Sequence, residues 1–211
     1  MKKFIIMAAM ALLGLNAQAQ IVSSRSATTT RMVIEETKTY TGWSTLGVEY
    51  LPSNISADGH SESFSGFAFN YTNAISLTQS IPLFLEWGVG AQYSTYSLDD
   101  TDIRWASIKA PVNLIYDFQI PNTRINIDPY LGVKFRGNVW GEIKEEHRGS
   151  KESYDLFDEG NCKRFQAGMQ IGVKARFNDA FFVGFGYGFD FNDFGESAKI
   201  NELSLSLGLV L

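Results

Sequence analysis

Apolar and polar residues alternate with a period of two along most of this chain. The pattern is sharpest at its end, where Leu203, Leu205, Leu207, Leu209 and Leu211 are interleaved with Glu202, Ser204, Ser206, Gly208 and Val210. Successive side chains of a strand point to opposite faces, so this spacing predicts a strand with one oily face and one small or polar face. Seven earlier segments predict strands of the same kind: Tyr40–Leu51, Phe64–Leu77, Leu83–Tyr96, Ile103–Phe118, Arg124–Asn138, Lys163–Phe177 and Ala180–Phe191, with Ile200–Leu211 as the eighth. In the third, Leu85, Trp87, Val89, Ala91 and Tyr93 oppose Glu86, Gly88, Gly90, Gln92 and Ser94.

The connections alternate in length. Thr78–Pro82, Gln119–Thr123 and Asn178-Asp179 are short, whereas Pro52–Ser63, Ser97–Asp102, Val139–Cys162 and Asn192–Ala198 are mostly longer. Short turns on one side and longer loops on the other are the layout of an outer-membrane barrel. The expected fold is therefore all-β: an eight-stranded antiparallel up-and-down transmembrane β-barrel over residues 40–211, located in the cell outer membrane. The short turns and both termini are expected in the periplasm and the long loops outside the cell. A backbone in lipid cannot leave N–H or C=O groups bare, so the first strand must pair with the eighth.

Alternation alone does not say which face is inside, and a soluble barrel would bury its apolar face. Three observations point the oily face outward. Gly88, Gly90, Gly132, Gly168, Gly172, Gly184, Gly186 and Gly188 all fall on the polar face, where a narrow lumen needs small residues and a solvated sheet does not. Charges on that face nearly balance. Glu49, Glu86, Asp117, Asp128, Asp190 and Glu202 stand against Lys109, Lys134, Arg136, Lys174 and Arg176, which predicts a lumen ion-pair network. Aromatics gather near strand ends (Tyr40, Tyr50, Tyr93, Trp105, Tyr116, Phe118, Phe135, Trp140, Phe165, Phe177, Phe181 and Phe191), as in interfacial girdles. Pro111 and Pro129 interrupt two strands. The short turn between those strands sets them nearly opposite each other, which predicts a shared bulge or ladder gap.

The N-terminus is of a different kind. Lys2 and Lys3, an apolar run from Phe4 to Leu15 and the small residues around Ala17 and Ala19 predict a signal peptide over residues 1–19. Residues 20–39 lack a clean period and are expected to be a flexible periplasmic lead-in. Beyond residue 20 no apolar run is long enough for a membrane helix. The formal charge of −5 becomes −7 without Lys2 and Lys3, and there is no basic stripe, so nucleic acid is not an expected partner. Cys162 is the only cysteine, so no internal disulfide forms.

The stretch Ile108-Lys109-Ala110-Pro111-Val112-Asn113-Leu114-Ile115-Tyr116, followed by Pro129-Tyr130-Leu131-Gly132-Val133-Lys134, resembles the PorT-type outer-membrane β-barrel family. The overall layout is similar to the small OmpA/OmpX-type barrels. The resemblance implies an eight-stranded barrel in a Gram-negative outer membrane and no shared activity, so no catalytic residue is carried over. Barrels of this kind commonly end in an aromatic residue that the insertion machinery reads, where this sequence has Leu211.

Candidate chemistry is sparse. His60 and His147 are the only histidines, both in expected outer loops, and neither has more than sequence proximity to a serine and an acid. Asp99, Asp100 and Asp102 cluster but lack the glycine and distal glutamate of a Ca²⁺ loop, so neither a metal nor a cofactor is expected. The third outer loop, Gly141–Cys162, carries seven acids and three bases, with Tyr154 and Phe157 as possible contact residues. The expected role is a non-enzymatic, porin-like envelope protein acting structurally or through its outer loops. The alternatives are a lipid-modifying enzyme, or a narrow channel or accessory subunit of a transport or secretion system. Expected partners are membrane lipids and lipopolysaccharide, plus the barrel-insertion machinery during assembly; no protein partner is named by the sequence.

Overall fold

The computed structural model describes residues 40–57, 60–98, 101–147, 150–158, 162–195 and 198–211. The expected signal peptide and lead-in, together with Asp58, Asp99, Asp100, Arg148 and Glu159, lie outside the described residues. Ten strands follow in order: β1 Trp43–Ala57, β2 His60–Ser76, β3 Leu83–Leu98, β4 Thr101–Tyr116, β5 Phe118–Gln119, β6 Ile125–His147, β7 Ser150–Asp155, β8 Phe165–Phe177, β9 Phe181–Asp190 and β10 Lys199–Val210. Eight of them are the staves. β1, β2, β3 and β4 pair antiparallel in order; β4 pairs β6, β6 pairs β8, and β8, β9 and β10 continue in order. β1 then pairs β10 from Thr45↔Val210 to Ser56↔Lys199, which closes the barrel. β5 continues β4 after a break, and β7 folds back on the far end of β6.

The oily face points outward. Leu205, Val183 and Ile171 are 49%, 47% and 54% exposed, whereas Glu86 and Lys109 are 1% and 6% exposed. At the short-turn end, Asn178 and Asp179 have φ of 55° and 49°, and Ala180 N–H donates to Phe177 C=O at 3.0 Å. Two central residues with positive φ make a mirror-image turn whose twist matches that of the strands, and Asn and Asp tolerate it best after glycine.

Strand boundaries at the long-loop end lie further out than the sequence pattern predicts. β1 and β2 run on through most of the expected loop Pro52–Ser63. β6 runs nine residues past Asn138 and, with β7, turns much of the third loop into a hairpin. Cross-strand hydroxyl and amide pairs sustain these extensions on their outer face, where Ser63 donates to Asn54 at 2.8 Å and Ser56 to Ser61 at 3.2 Å, while Ile55 and Ile143 pack inward. The prolines also differ from expectation. Pro111 lies opposite Lys134 and Pro129 opposite Val173, so they share no gap. Each opens its own. The β3–β4 ladder is interrupted between Gly90↔Lys109 and Trp87↔Val112, beside Pro111, and the β4–β6 ladder ends at Ile115↔Tyr130, next to Pro129. The β1–β10 ladder skips Pro52 in the same way. A residue without N–H cannot donate to the ladder, so the break falls on the strand that its nitrogen faces.

Both mouths of the barrel are packed with apolar side chains. Ala74, Phe84 and Ile115, with Tyr40, Trp43 and Tyr130 against them, fill the short-turn end. Phe64, Trp105, Leu156, Phe157, Phe194 and Ile200 fill the other. Trp105 is thus not a girdle residue. It shares the inner face with Ser107 and Lys109 and is 3% exposed. Between the mouths the Tyr130 ring lies along the inner wall over Gly172 on the neighbouring stave, where a Cβ would stand 2.5 Å from its Cζ. Gly172→Val therefore overpacks this contact, at a cost of about 1–3 kcal/mol. The expected result is a lower urea midpoint for the gel-mobility difference between unboiled and boiled protein; an unchanged midpoint would show that the ring is free to move.

Candidate functional site

The inner face of the barrel carries its charged chemistry in three tiers. At the short-turn end the Arg176 guanidinium donates from Nε to Asp128 Oδ2 at 2.5 Å and pairs with Asp117 at 3.0 Å and Asp179 at 3.2 Å. Its carbon lies 3.7 Å from the centre of the Trp43 ring, within cation–π range. In the middle tier Lys174 Nζ donates to Glu86 Oε2 at 2.6 Å, and Thr72 and Asn113 donate to the same carboxylate at 2.9 and 2.8 Å. The third tier has Glu202 at its centre. Lys134 and Arg136 each reach it at 3.3 Å, Lys109 at 3.9 Å and Gln92 at 3.1 Å. Lys109 also donates to Glu49 at 2.8 Å; Asp190 takes Lys134 at 3.4 Å and bonds Arg136.

Glu49, Glu86, Lys109, Asp117, Asp128, Lys134, Arg136, Lys174, Arg176, Asp190 and Glu202 all lie in this column, on seven of the eight staves and the break after β4. β2 contributes Thr72 and Asn70 in place of a charge. The third tier sets three bases against three acids, and the middle tier one against one. Only Arg176 faces two enclosed acids, so the surplus negative charge falls at the short-turn mouth. Several kcal/mol of desolvation per enclosed ion are offset only when every partner is in place. A cavity of about 430 Å³ opens at the short-turn mouth beside Trp43, Asp117 and Arg176, but the space left between the inner tiers is small. A cavity of about 40 Å³ lies between Glu49, Glu86, Lys109, Tyr130 and Lys174, and a second of about 20 Å³ adjoins Asn70 and Phe182. The amide of Asn70, 8% exposed and without a protein partner, faces both, so they suit a few water molecules and no larger solute.

Above the third tier a hydrogen-bonded layer spans the lumen: Ser107 donates to Asn138 at 2.6 Å, and Asn138 donates to Gln166 at 2.6 Å. The apolar plug lies over it. Phe157, a contact candidate by sequence, is 8% exposed inside that plug, with Arg164 5.0 Å over its ring. Tyr154 is half-buried on β7 and its hydroxyl bonds Glu152. Asp102 accepts from Ser97 at 2.5 Å and faces Arg104 at 3.5 Å. Among the described residues no three His, Cys, Asp or Glu side chains converge as a metal site. The backbones of His60 and His147 form the outermost rungs of their hairpins, opposite Ala57 and Ser150. His147 is seven residues past the exposed Trp140, roughly 20 Å along an extended strand.

Several residues that close the barrel carry no motif. Tyr130, Phe84, Ile115 and Phe182 are apolar or aromatic on a face that otherwise reads polar. The signal for Tyr130 and Phe182 lay across the sheet, in Gly172 and Gly47, whose positions leave room for the rings. Leu156 and Phe194 sit in irregular segments where period counting has nothing to say.

Two expectations follow. Arg136→Met leaves Asp190 and Glu202 short of a partner and should destabilise the barrel by about 3–5 kcal/mol in reversible urea unfolding; a change under 1 kcal/mol would mean that water already screens the tier. Asp155, outside the barrel wall, accepts the N–H groups of Phe157 at 2.8 Å and Asp158 at 3.0 Å, which hold its carboxyl below the ordinary carboxylate range. A depressed value means that this stabilisation is present at neutral pH and is lost as pH falls through that value, below about 4. Protection of the Phe157 and Asp158 amides from hydrogen exchange should drop in that window and be low at every pH in Asp155→Ala; pH-independent protection would contradict the assignment.

Known proteins agree with this architecture. Neisserial surface protein A is 18% identical, with 79% of this chain and 96% of that chain covered at a TM-score of 0.51. Ail, the attachment invasion locus protein of Yersinia pestis, solved in complex with the heparin analogue sucrose octasulfate, is 15% identical, with 82% and 100% covered at 0.46. The outer membrane enzyme PagL is 13% identical, with 77% and 97% covered at 0.46. At such identities the likeness speaks to fold alone. No curated protein matches the chain in sequence. A model of one family, described as the outer membrane protein beta-barrel domain, matches residues 5–210, and this chain belongs to that family.

Proposed function

We infer that this outer-membrane barrel is a non-enzymatic, non-conducting envelope protein that holds two stiff hairpins, β1–β2 and β6–β7, outside the cell as an interaction surface. The observation that carries the reading is the stacked closure of the lumen. The apolar clusters at the two ends close off the middle and third tiers, where the largest cavity is about 40 Å³, and the Arg176 tier alone lines an open cavity of about 430 Å³ at the short-turn mouth. The lumen ion-pair network serves in this reading as the packing of the barrel, not as a transport path. Against a lipid-modifying enzyme stands the position of His60 and His147 on the last rungs of the hairpins, far from the bilayer rim. The half-exposed Tyr154 remains a contact candidate, whereas Phe157 serves the plug.

Export through a signal peptide over residues 1–19, a lead-in over 20–39, insertion by the barrel-assembly machinery, and lipopolysaccharide as the surrounding lipid belong to the same reading. So does membership of the PorT type, on Ile108–Tyr116 and Pro129–Lys134. Shared activity plays no part in that resemblance.

Two measurements test it. Full-length protein in planar bilayers should give no steady conductance, and proteoliposomes containing lipopolysaccharide should show an unchanged acyl profile by mass spectrometry; regular conductance steps or released acyl chains would overturn it. In a Cys162→Ser background, Ser153→Cys should react with a membrane-impermeant maleimide on intact cells and Thr78→Cys only after permeabilisation. Burial raises the pKa of the Cys162 thiol, which slows its own reaction, and its replacement removes that background altogether. Labelling of Thr78→Cys on intact cells would reverse the orientation.

A further inference from the structure

The outer wall of the barrel is not uniform around its circumference. On β1, β2, β3 and β4 the outward side chains form rows whose chemistry changes in one step. One row is Val48, Phe69, Ala91 and Ile108; the next, towards the cell exterior, is Tyr50, Phe67, Tyr93 and Ala106. The row after that is Pro52, Ser65, Thr95 and Arg104, and beyond it Asn54 lies opposite Ser63 and Ser97 opposite Asp102. Two residues along a strand, about 7 Å, thus separate lipid-exposed rings from a hydroxyl and amide surface that is uncharged on β1 and β2 and carries Asp102 and Arg104 on β4.

An open cleft of about 430 Å³ is cut into the apolar part of this wall. Ala91 and Ala106 are its floor, and Val48, Phe67, Phe69 and Tyr93 rise around it. It faces the membrane, so its occupant must be hydrocarbon on the cleft side. Its outer edge is the Tyr50–Phe67 ring pair, 5.2 Å between centres, and the hydroxyl rows start immediately beyond. Arg104 stands one row above Ala106. Its contact with Asp102 is long, 3.5 Å, at side chains 44% and 43% exposed, which is worth little. Glu142, its cross-strand neighbour on β6, pairs with Lys144 at 3.2 Å, and Lys144 lies opposite Asp102, so the site carries two cations and two acids rather than a basic patch.

We propose that this wall is a specific docking site for a phosphorylated glycolipid of the outer leaflet, with an acyl chain in the Ala91 cleft, sugar hydroxyls against the Ser63, Ser65 and Thr95 rows, and a phosphate at Arg104. The order of chemistry along the wall carries the assignment. It runs apolar cleft, aromatic edge, hydroxyl surface, single guanidinium, and an acylated sugar phosphate has that order along its own length. A phospholipid matches the cleft but has no sugar to meet the hydroxyl rows.

Native mass spectrometry of the full-length chain from micelles doped with purified lipid A, with phosphatidylethanolamine in a parallel arm, tests this. The expected result is one retained lipid A per chain and weaker retention of phosphatidylethanolamine. Ala91→Phe fills the cleft and should cut lipid A retention about tenfold. Arg104→Gln should cut it several-fold, and Val183→Phe, on the opposite wall, should leave it unchanged. The boiling-dependent gel shift confirms that each variant is folded, since all three changes lie on the outer face. Equal retention by Ala91→Phe and the unchanged protein, equal retention of the two lipids, or a two-chain mass in place of the lipid adduct would each overturn the proposal.

Discussion

A peptide group in hydrocarbon has nowhere to turn for a hydrogen bond except to another peptide group. Every other feature of this protein follows from meeting that demand with strands. A strand satisfies its backbone only through neighbours on both sides, so a sheet in lipid must have no edge. The seam between β1 and β10 is where the demand is met, with paired residues from Thr45 to Ser56. The first stave after the N-terminal region and the last in the sequence are thus the two whose contact the whole barrel depends on.

Closing with eight staves leaves an interior barely wider than the side chains that fill it. That width explains both the glycines and the charges. Where a ring or a long cation lies along the inner wall, the staves beneath it carry glycine, as Gly172 does on the stave next to Tyr130 and Gly188 does two staves from Lys134, where a Cβ would stand 2.9 Å from Nζ. Where acids and bases remain, they interlock across the axis. Glu202 on β10 draws its partners from β3, β4 and β6. The network thereby ties staves that share no backbone hydrogen bond.

Outside the bilayer the constraint relaxes, and water can satisfy an open backbone edge. The strands nonetheless continue as hairpins, held by hydroxyl and amide pairs on one side and by the cluster around Trp105 on the other. Prolines fall at ladder breaks near this transition and within the wall, where their missing N–H is tolerated because neighbouring pairs hold the register on either side. The result is a pair of hydrogen-bonded hairpins over a dry base.

The alternation of Leu203 to Leu211, the glycines opposite them in period, and the short turns at Asn178-Asp179 are local facts. They specified stave number, pairing order, face and membrane placement without reference to any distant residue. The near-balance of eleven charges was equally legible, because a buried face admits ions only in compensating numbers. Their partners were not legible, since Glu202 meets Lys109, Lys134 and Arg136 across sequence gaps that no periodicity encodes. Nor was the fate of Phe157 and Trp105, the distance that the hairpins extend, or the separate gaps at Pro111 and Pro129. Those depend on register and on which side chains reach across the axis, and only closure of the sheet in three dimensions decides that.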